Sequence, residues 1–390
     1  MSESFARRIA HLEVEGAYAV LAHAQALEAQ GREIIHMEIG QPDFETYPNI
    51  AQAGMQAIAA GQTRYNPPSG IVPLRKALAE DAGRRRGMNF NPDQVVVTPG
   101  GKPMLLLPML ALLEAGDEVI YPDPGFPTYA AAIGLSGATP VPIPLLEEQG
   151  YDLDLSALEK AISPRTRMIL LNSPSNPTGG INSQETIEHV ADLARRHDIW
   201  VLSDEIYSRL VYDGEAPSIA TLPGMAQRTI IADGFSKTYA MTGWRLGYGI
   251  MPEPLAAKMN LLLTHMVGCT ATFTQIAGLE AITGPQDDVD RVVAEFRRRR
   301  DVIVAGLNAI EGIRCPMPRG AFYAFANVSS FGRPADELAD YLLEEAGVAL
   351  LSGTSFGANG EGYLRLSYAN SVENIQKALE RMAEALGVLR

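Results

Sequence analysis

Lys237 and Arg245 stand eight residues apart in the stretch IIADGFSKTYAMTGWRLGYG, residues 230–249. The stretch opens as a short apolar strand, breaks at Gly234 and places the lysine just past the strand's end. An amine held away from bulk water condenses with a carbonyl to form a Schiff base. An arginine grips a phosphate through two parallel hydrogen bonds, a geometry lysine lacks. One amine for an aldehyde and one fork for a phosphate describe a site for pyridoxal phosphate. The plainer reading is a solvated Lys and Arg flanking a loop, and the pair alone favours it. The other polar residues along the chain change that balance.

Asp204 follows the apolar run WVLS, residues 200–203. A lone buried carboxylate is costly unless it meets a positive partner, and a protonated pyridine nitrogen is one; the alternative is a helix N-cap. Tyr207 and Asn176 can each hydrogen-bond a phenolate oxygen, and Phe126 offers a flat face for stacking, although a core Phe is the commoner role. Gly100 and Gly101 open a helix and offer N–H groups to an anion; a plain strand-to-helix turn is an even alternative. A nucleotide P-loop fails there, because Val96 stands where its first glycine belongs and Pro103 where it needs Ser or Thr. No GxGxxG follows a strand, which argues against a dinucleotide site. Gly353–Gly357 fits the GxSxG pattern of hydrolases, but all six histidines precede Ser355, and in that fold one must follow.

These residues need a scaffold that brings strand ends together. Five apolar runs, VVVT (95–98), EVIY (118–121), MILL (168–171), WVLS (200–203) and TIIA (229–232), alternate with helical periodicity. Continuous apolar strands between helices predict a mostly parallel sheet covered on both faces. Ligands of such sheets lie beyond the carboxyl ends of the strands, where the polar residues above all fall. An alanine-rich helix ending at Gly31 precedes this region, and the loop Gly40-Gln41-Pro42 follows a short strand. After Gly249 the pattern turns helical, with a long helix from Asp288 to about Ile310, then mixes strands and helices to the end. The boundary of a smaller α+β domain falls within 280–315, which gives an arm and part of the small domain over 1–45, a large domain over 46–285 and the rest of the small domain over 286–390. The Arg297–Arg300 run on the long helix reads as a solvated face.

The chain has 390 residues and a net charge of −14, which argues against nucleic acid and anionic membrane surfaces. Two distant cysteines, Cys269 and Cys315, suit a reducing compartment and point to neither a disulfide framework nor a metal site. The first residues carry no signal-peptide core, and the longest apolar run, Met104 to Leu113, is too short for a bilayer. A soluble cytoplasmic protein is expected.

Gly-Gly-Lys, Asn-Pro-Thr-Gly, Asp-Glu-Ile-Tyr, Ser-Lys and Met-Thr-Gly-Trp-Arg-Leu-Gly, in that order, resemble the class I/II aminotransferases of pyridoxal phosphate fold type I, aspartate aminotransferase-like. The resemblance runs from GQPDF near residue 40 to YLRLSYA near 368. It implies an α/β fold with a mostly parallel central sheet flanked by helices, plus a smaller α+β domain. It implies an amino group moved from an L-amino acid to a 2-oxo acid by ping-pong exchange on pyridoxal 5'-phosphate. Lys237 would form the Schiff base and shuttle the proton, Asp204 would pair with the pyridine nitrogen, and Tyr207 and Asn176 with the 3′ oxygen. Phe126 and Ile206 would cover the two ring faces. Gly100, Gly101, the Lys102 backbone, Ser236 and Arg245 would surround the phosphate. Tyr65 would reach the phosphate of a neighbouring subunit, implying a homodimer with sites at the interface. Arg365 would clamp the substrate α-carboxylate, with Gly40 and Asn176 beside it.

Three positions depart from the family pattern: Gly234 where Ser is common, Pro103 where Gln is common, and Leu110 in a region where relatives acting on acidic substrates carry a basic residue. The last suggests a neutral amino donor, aromatic or aliphatic. A β-lyase on the same fold is the nearest alternative, and a pyridoxal phosphate-binding transcriptional regulator a distant one, since the residues before the cofactor motifs are too few for a DNA-binding domain.

Overall fold

The computed structural model describes residues 9, 12 and 14–389; most of the polar lead-in before residue 14 lies outside them. Eight strands form the central sheet: β1 (Val95–Thr98), β2 (Glu118–Asp123), β3 (Thr139–Leu146), β4 (Asp152–Leu153), β5 (Thr166–Asn172), β6 (Trp200–Asp204), β7 (Thr229–Gly234) and β8 (Gly247–Ile250). Their spatial order is β1-β8-β7-β6-β5-β2-β3-β4. The run from β7 to β3 is parallel, whereas β8 is antiparallel to both its neighbours and β4 to β3.

The five expected strands are all present. Successive residues divide between the two faces, as a pleated strand requires. Val119, Met168, Leu170, Leu202 and Ile230 pack with residues of helices Pro103–Leu112, Thr128–Ser136 and Glu253–Met266. Their neighbours Ile120, Ile169, Leu171 and Val201 pack with Leu158 of Leu155–Ala161 and with helix Gln184–Arg196. Ser183 caps the last of these by accepting a hydrogen bond from the Thr186 N–H, and Pro103 sits in the first turn of its helix, where no donor is lost.

Three strands of this sheet escape a reading by apolar runs, β4 because it has only two residues. In β3 prolines alternate at 140, 142 and 144, so every missing N–H falls on one edge. The other edge pairs with β2, beginning beside the bond from the Thr139 N–H to the Asp117 carbonyl. Strand β8, GYGI, is half glycine. A Cβ on Gly247 would lie 2.5 Å from the Gly100 carbonyl, so packing against that turn requires the glycine that weakens the strand signal.

A second sheet, β9 (Tyr323–Asn327), β10 (Leu351–Ser352) and β11 (Tyr363–Ser367), is antiparallel in the order β9-β11-β10. Helices Asp287–Ala309 and Ala335–Ala346 pack against it, and Val372–Gly387 packs against both helices. The arginine run on Asp287–Ala309 departs from expectation. Arg299 and Arg300 are buried, the first paired with Asp43 and Glu295, the second with Asp213 and Asp301. Four successive residues span more than one full turn, so part of the run must face inward. No helix of the described residues is long and apolar enough to cross a membrane.

Candidate active site

The carboxyl ends of β1, β2, β5, β6 and β7 meet at a cavity of about 750 Å³. Asn172 ends β5, Asp204 ends β6, and Ser236 and Lys237 follow β7, so parallel strands deliver their terminal residues to one place. Of the expected site residues, Gly40, Gly101, Lys102, Phe126, Asn176, Asp204, Ile206, Tyr207, Ser236, Lys237, Arg245 and Arg365 line the cavity.

Lys237 is half-buried, and its Nζ donates to the Gly40 carbonyl. Burial and the nearby Arg365 and Arg245 charges bring its pKa down to about 8, so a neutral amine is accessible near physiological pH. Asp204 is buried and accepts hydrogen bonds from the Tyr129 hydroxyl at 2.8 Å and the Ile206 N–H at 3.2 Å. No cationic side chain pairs with it among the described residues, and burial pushes its pKa up to about 6 against the pull of those two bonds. The Tyr207 hydroxyl meets that of Tyr323 at 2.7 Å, and burial holds its pKa well above the ordinary phenol value.

Arg365 lies in β11, buried between Tyr323 and Phe356, whose ring centres are 4.7 and 5.0 Å from its guanidinium carbon. It donates to the Glu38 carbonyl and, at 3.4 Å, to Asn176 Oδ1, while its Nε has no partner among the described residues. A buried guanidinium with a free N–H is poised for an added acceptor.

At the opposite end Gly100 has φ +88°, and a Cβ there would lie 2.4 Å from Arg245 Nη2. The turn and the guanidinium are therefore in close approach, although Gly100 itself is not part of the cavity wall. Gly234 is buried, and a Cβ there would meet Ile206 Cδ1 at 3.1 Å, which leaves little room for the serine common in the family. Tyr65 does not line the cavity of its own chain and is 96% exposed. Leu110 is exposed and does not line the cavity of its own chain.

Sequence reasoning missed several wall residues. Tyr129 sits inside helix Thr128–Ser136 and Tyr323 inside β9, where both resemble ordinary core aromatics. Glu15, Gly16, Ala17, Tyr18 and Leu21 come from the start of helix Gly16–Glu28, which crosses to the cavity and abuts Ser355. Nothing local in an alanine-rich helix marks it as a wall.

A family model described as "Aminotransferase class I and II" matches residues 32–382. The chain is 40% identical to the aspartate aminotransferase of Pyrococcus horikoshii, covering 91% of each chain. It is 39% identical to the aromatic-amino-acid aminotransferase 2 of Thermococcus litoralis, covering 92% of this chain and 93% of the relative. Its fold is similar to the crystal structure of the aspartate aminotransferase from Rhizobium meliloti, with TM-score 0.94 at 36% identity over 99% of both chains.

Proposed function

The chain belongs to the class I and II aminotransferases, and from that premise we propose which of its residues carry the reaction. It is a pyridoxal phosphate-dependent transaminase of fold type I, acting on an amino acid and a 2-oxo acid. When bound, pyridoxal phosphate supplies an aldehyde that takes up the amino group and a ring that accepts the electrons released at Cα.

The residues present fit that cofactor. A buried carboxylate with no cation beside it among the described residues suits a protonated ring nitrogen, the Arg245 guanidinium held close to the Gly100 turn suits a phosphate, and a lysine with a lowered pKa suits an aldehyde. In our reading Lys237 would hold the cofactor's aldehyde carbon, and its Nζ would take the proton from substrate Cα and return it. Asp204 holds the ring nitrogen protonated, braced by Tyr129. Tyr207 and Asn176 bind the 3′ oxygen, and Phe126 and Ile206 flank the ring. Ser236, Arg245 and the N–H groups of Gly101 and Lys102 hold the phosphate. Arg365 binds the α-carboxylate in a bidentate fork, beside Gly40 and Asn176. A single such clamp suits two carboxylate substrates that occupy one site in turn.

Tyr65 contacts the phosphate in the site of a second copy, so the working unit is a homodimer; we place it in the cytoplasm and divide each chain into an arm with part of the small domain (1–45), a large domain (46–285) and a small domain (286–390). The observation that carries the assignment is the meeting, in one cavity, of Lys237, the cation-free Asp204 and the guanidinium of Arg365 with its unpaired Nε. Borohydride reduction followed by peptide mapping tests it: the cofactor mass is expected on Lys237. Its appearance on another lysine, or normal turnover by Lys237→Ala, would sink the assignment.

A further inference from the structure

Among the described residues, four cations line the cavity, Lys102, Lys237, Arg245 and Arg365, and three acids, Glu15, Asp204 and Asp233. The proposed function allots the side chains of three of the cations. Lys237 serves the cofactor aldehyde, Arg245 the phosphate and Arg365 the α-carboxylate. Among the described cations of this cavity, the Lys102 ammonium alone is left to receive a further negative group of a substrate. It is not available. Its Nζ lies 2.8 Å from Glu15 Oε2, and the two side chains are 49% and 28% exposed, at the solvent-reachable edge of the site. The Lys102 Nζ also sits 5.2 Å from the centre of the Phe126 ring. The same cavity is also lined by the apolar side chains of Tyr18, Leu21, Leu105 and Leu351.

We propose that Glu15 is a specificity residue: by neutralising Lys102 it excludes substrates with a second carboxylate and reserves the site for amino acids with uncharged side chains. The inference rests on the proposed function and deepens it. A distal carboxylate entering this edge has to break the Glu15–Lys102 pair and then remain beside the charge it displaced. An uncharged side chain breaks nothing and enters a cavity partly lined by apolar side chains. A cationic side chain gains little, because the pair presents no net charge. The charge of Glu15 also reaches deeper, favouring the protonated forms of both Lys237 and Arg365. Glu15 directly precedes helix Gly16–Glu28, whose first residue abuts Ser355, so the carboxylate is carried to the cavity by an ordered element.

The test measures binding of two unreactive carboxylates to the holoenzyme by calorimetry, so that it does not depend on turnover. Maleate carries two carboxylates and 3-phenylpropionate one. Glu15→Gln is expected to tighten maleate by about five- to tenfold, the scale of one partly exposed charge pair, and Glu15→Lys by more. Binding of 3-phenylpropionate is expected to change less than about twofold in both. The double variant Glu15→Gln/Lys102→Met is expected to lose the gain. Unchanged maleate affinity in Glu15→Gln and Glu15→Lys, or a gain that persists without Lys102, overturns the inference. If the wild-type enzyme binds neither ligand, or Arg365→Gln binds 3-phenylpropionate as wild type does, the placement of substrate in this cavity falls with it.

Discussion

The Asp204 carboxyl is suited to the reaction at the expense of the fold. Its pKa is pushed from 3.8 to about 6 because it is buried with only hydrogen-bond donors, and no cation, against it. Between those two values the folded chain keeps a proton that the unfolded chain has lost. Stability of the cofactor-free protein therefore falls as pH rises through that window and stays reduced above it. The penalty is on the order of 3 kcal/mol. Cofactor-free Asp204→Asn is accordingly expected to melt several degrees above wild type at pH 8, and level with it below pH 3.8, by calorimetric scans across pH. The same substitution removes the charge proposed to hold the ring nitrogen protonated, so kcat is expected to drop at least about a hundredfold. A variant that kept full activity would leave the burial of Asp204 without a functional reason. Asp204 itself was readable because it follows an apolar strand. Its brace Tyr129 was not, since hydrogen-bond partners 75 residues apart leave no local pattern.

At the scale of elements, the turn after β1 depends on a strand far along the chain. Gly247 of β8 lies so close to Gly100 that a methyl group would strike the Gly100 carbonyl. Gly247→Ala is expected to destabilise the fold by about 1–3 kcal/mol, the usual cost of overpacking. It should also displace the Gly101 N–H from the proposed phosphate site, so the variant should lose cofactor on dialysis several times faster than wild type. Unchanged retention, followed by absorbance, would detach the turn from phosphate binding. The long helix was legible almost to its ends: the expected span from Asp288 to about Ile310 corresponds to Asp287–Ala309. Strands β3 and β8 were not, because proline and glycine are accepted there for reasons of edge and close approach that belong to neighbouring strands.

At the scale of the whole molecule, Tyr65 lies outside the cavity of its own chain, and its proposed role therefore demands a second copy. Mixing Tyr65→Ala chains with Lys237→Ala chains tests this. In a hybrid dimer one site carries both defects and the other neither, so the mixture is expected to recover activity that neither parent has, at about half the wild-type value per hybrid. No recovery on mixing and refolding would mean that Tyr65 acts within its own chain or not at all. The sequence by itself determined the alternation of strands and helices, and the polar residues that end each strand. It did so because apolar periodicity and the chemistry of Lys, Asp and Arg are local properties, and because the order of the motifs marks the family. The tertiary structure alone decided that Glu15 faces Lys102, that Tyr129 braces Asp204, that Leu110 lies outside the cavity and that Arg299 and Arg300 are buried. Each of those outcomes depends on which surfaces meet when distant segments pack, and side-chain type along one segment does not encode its partner.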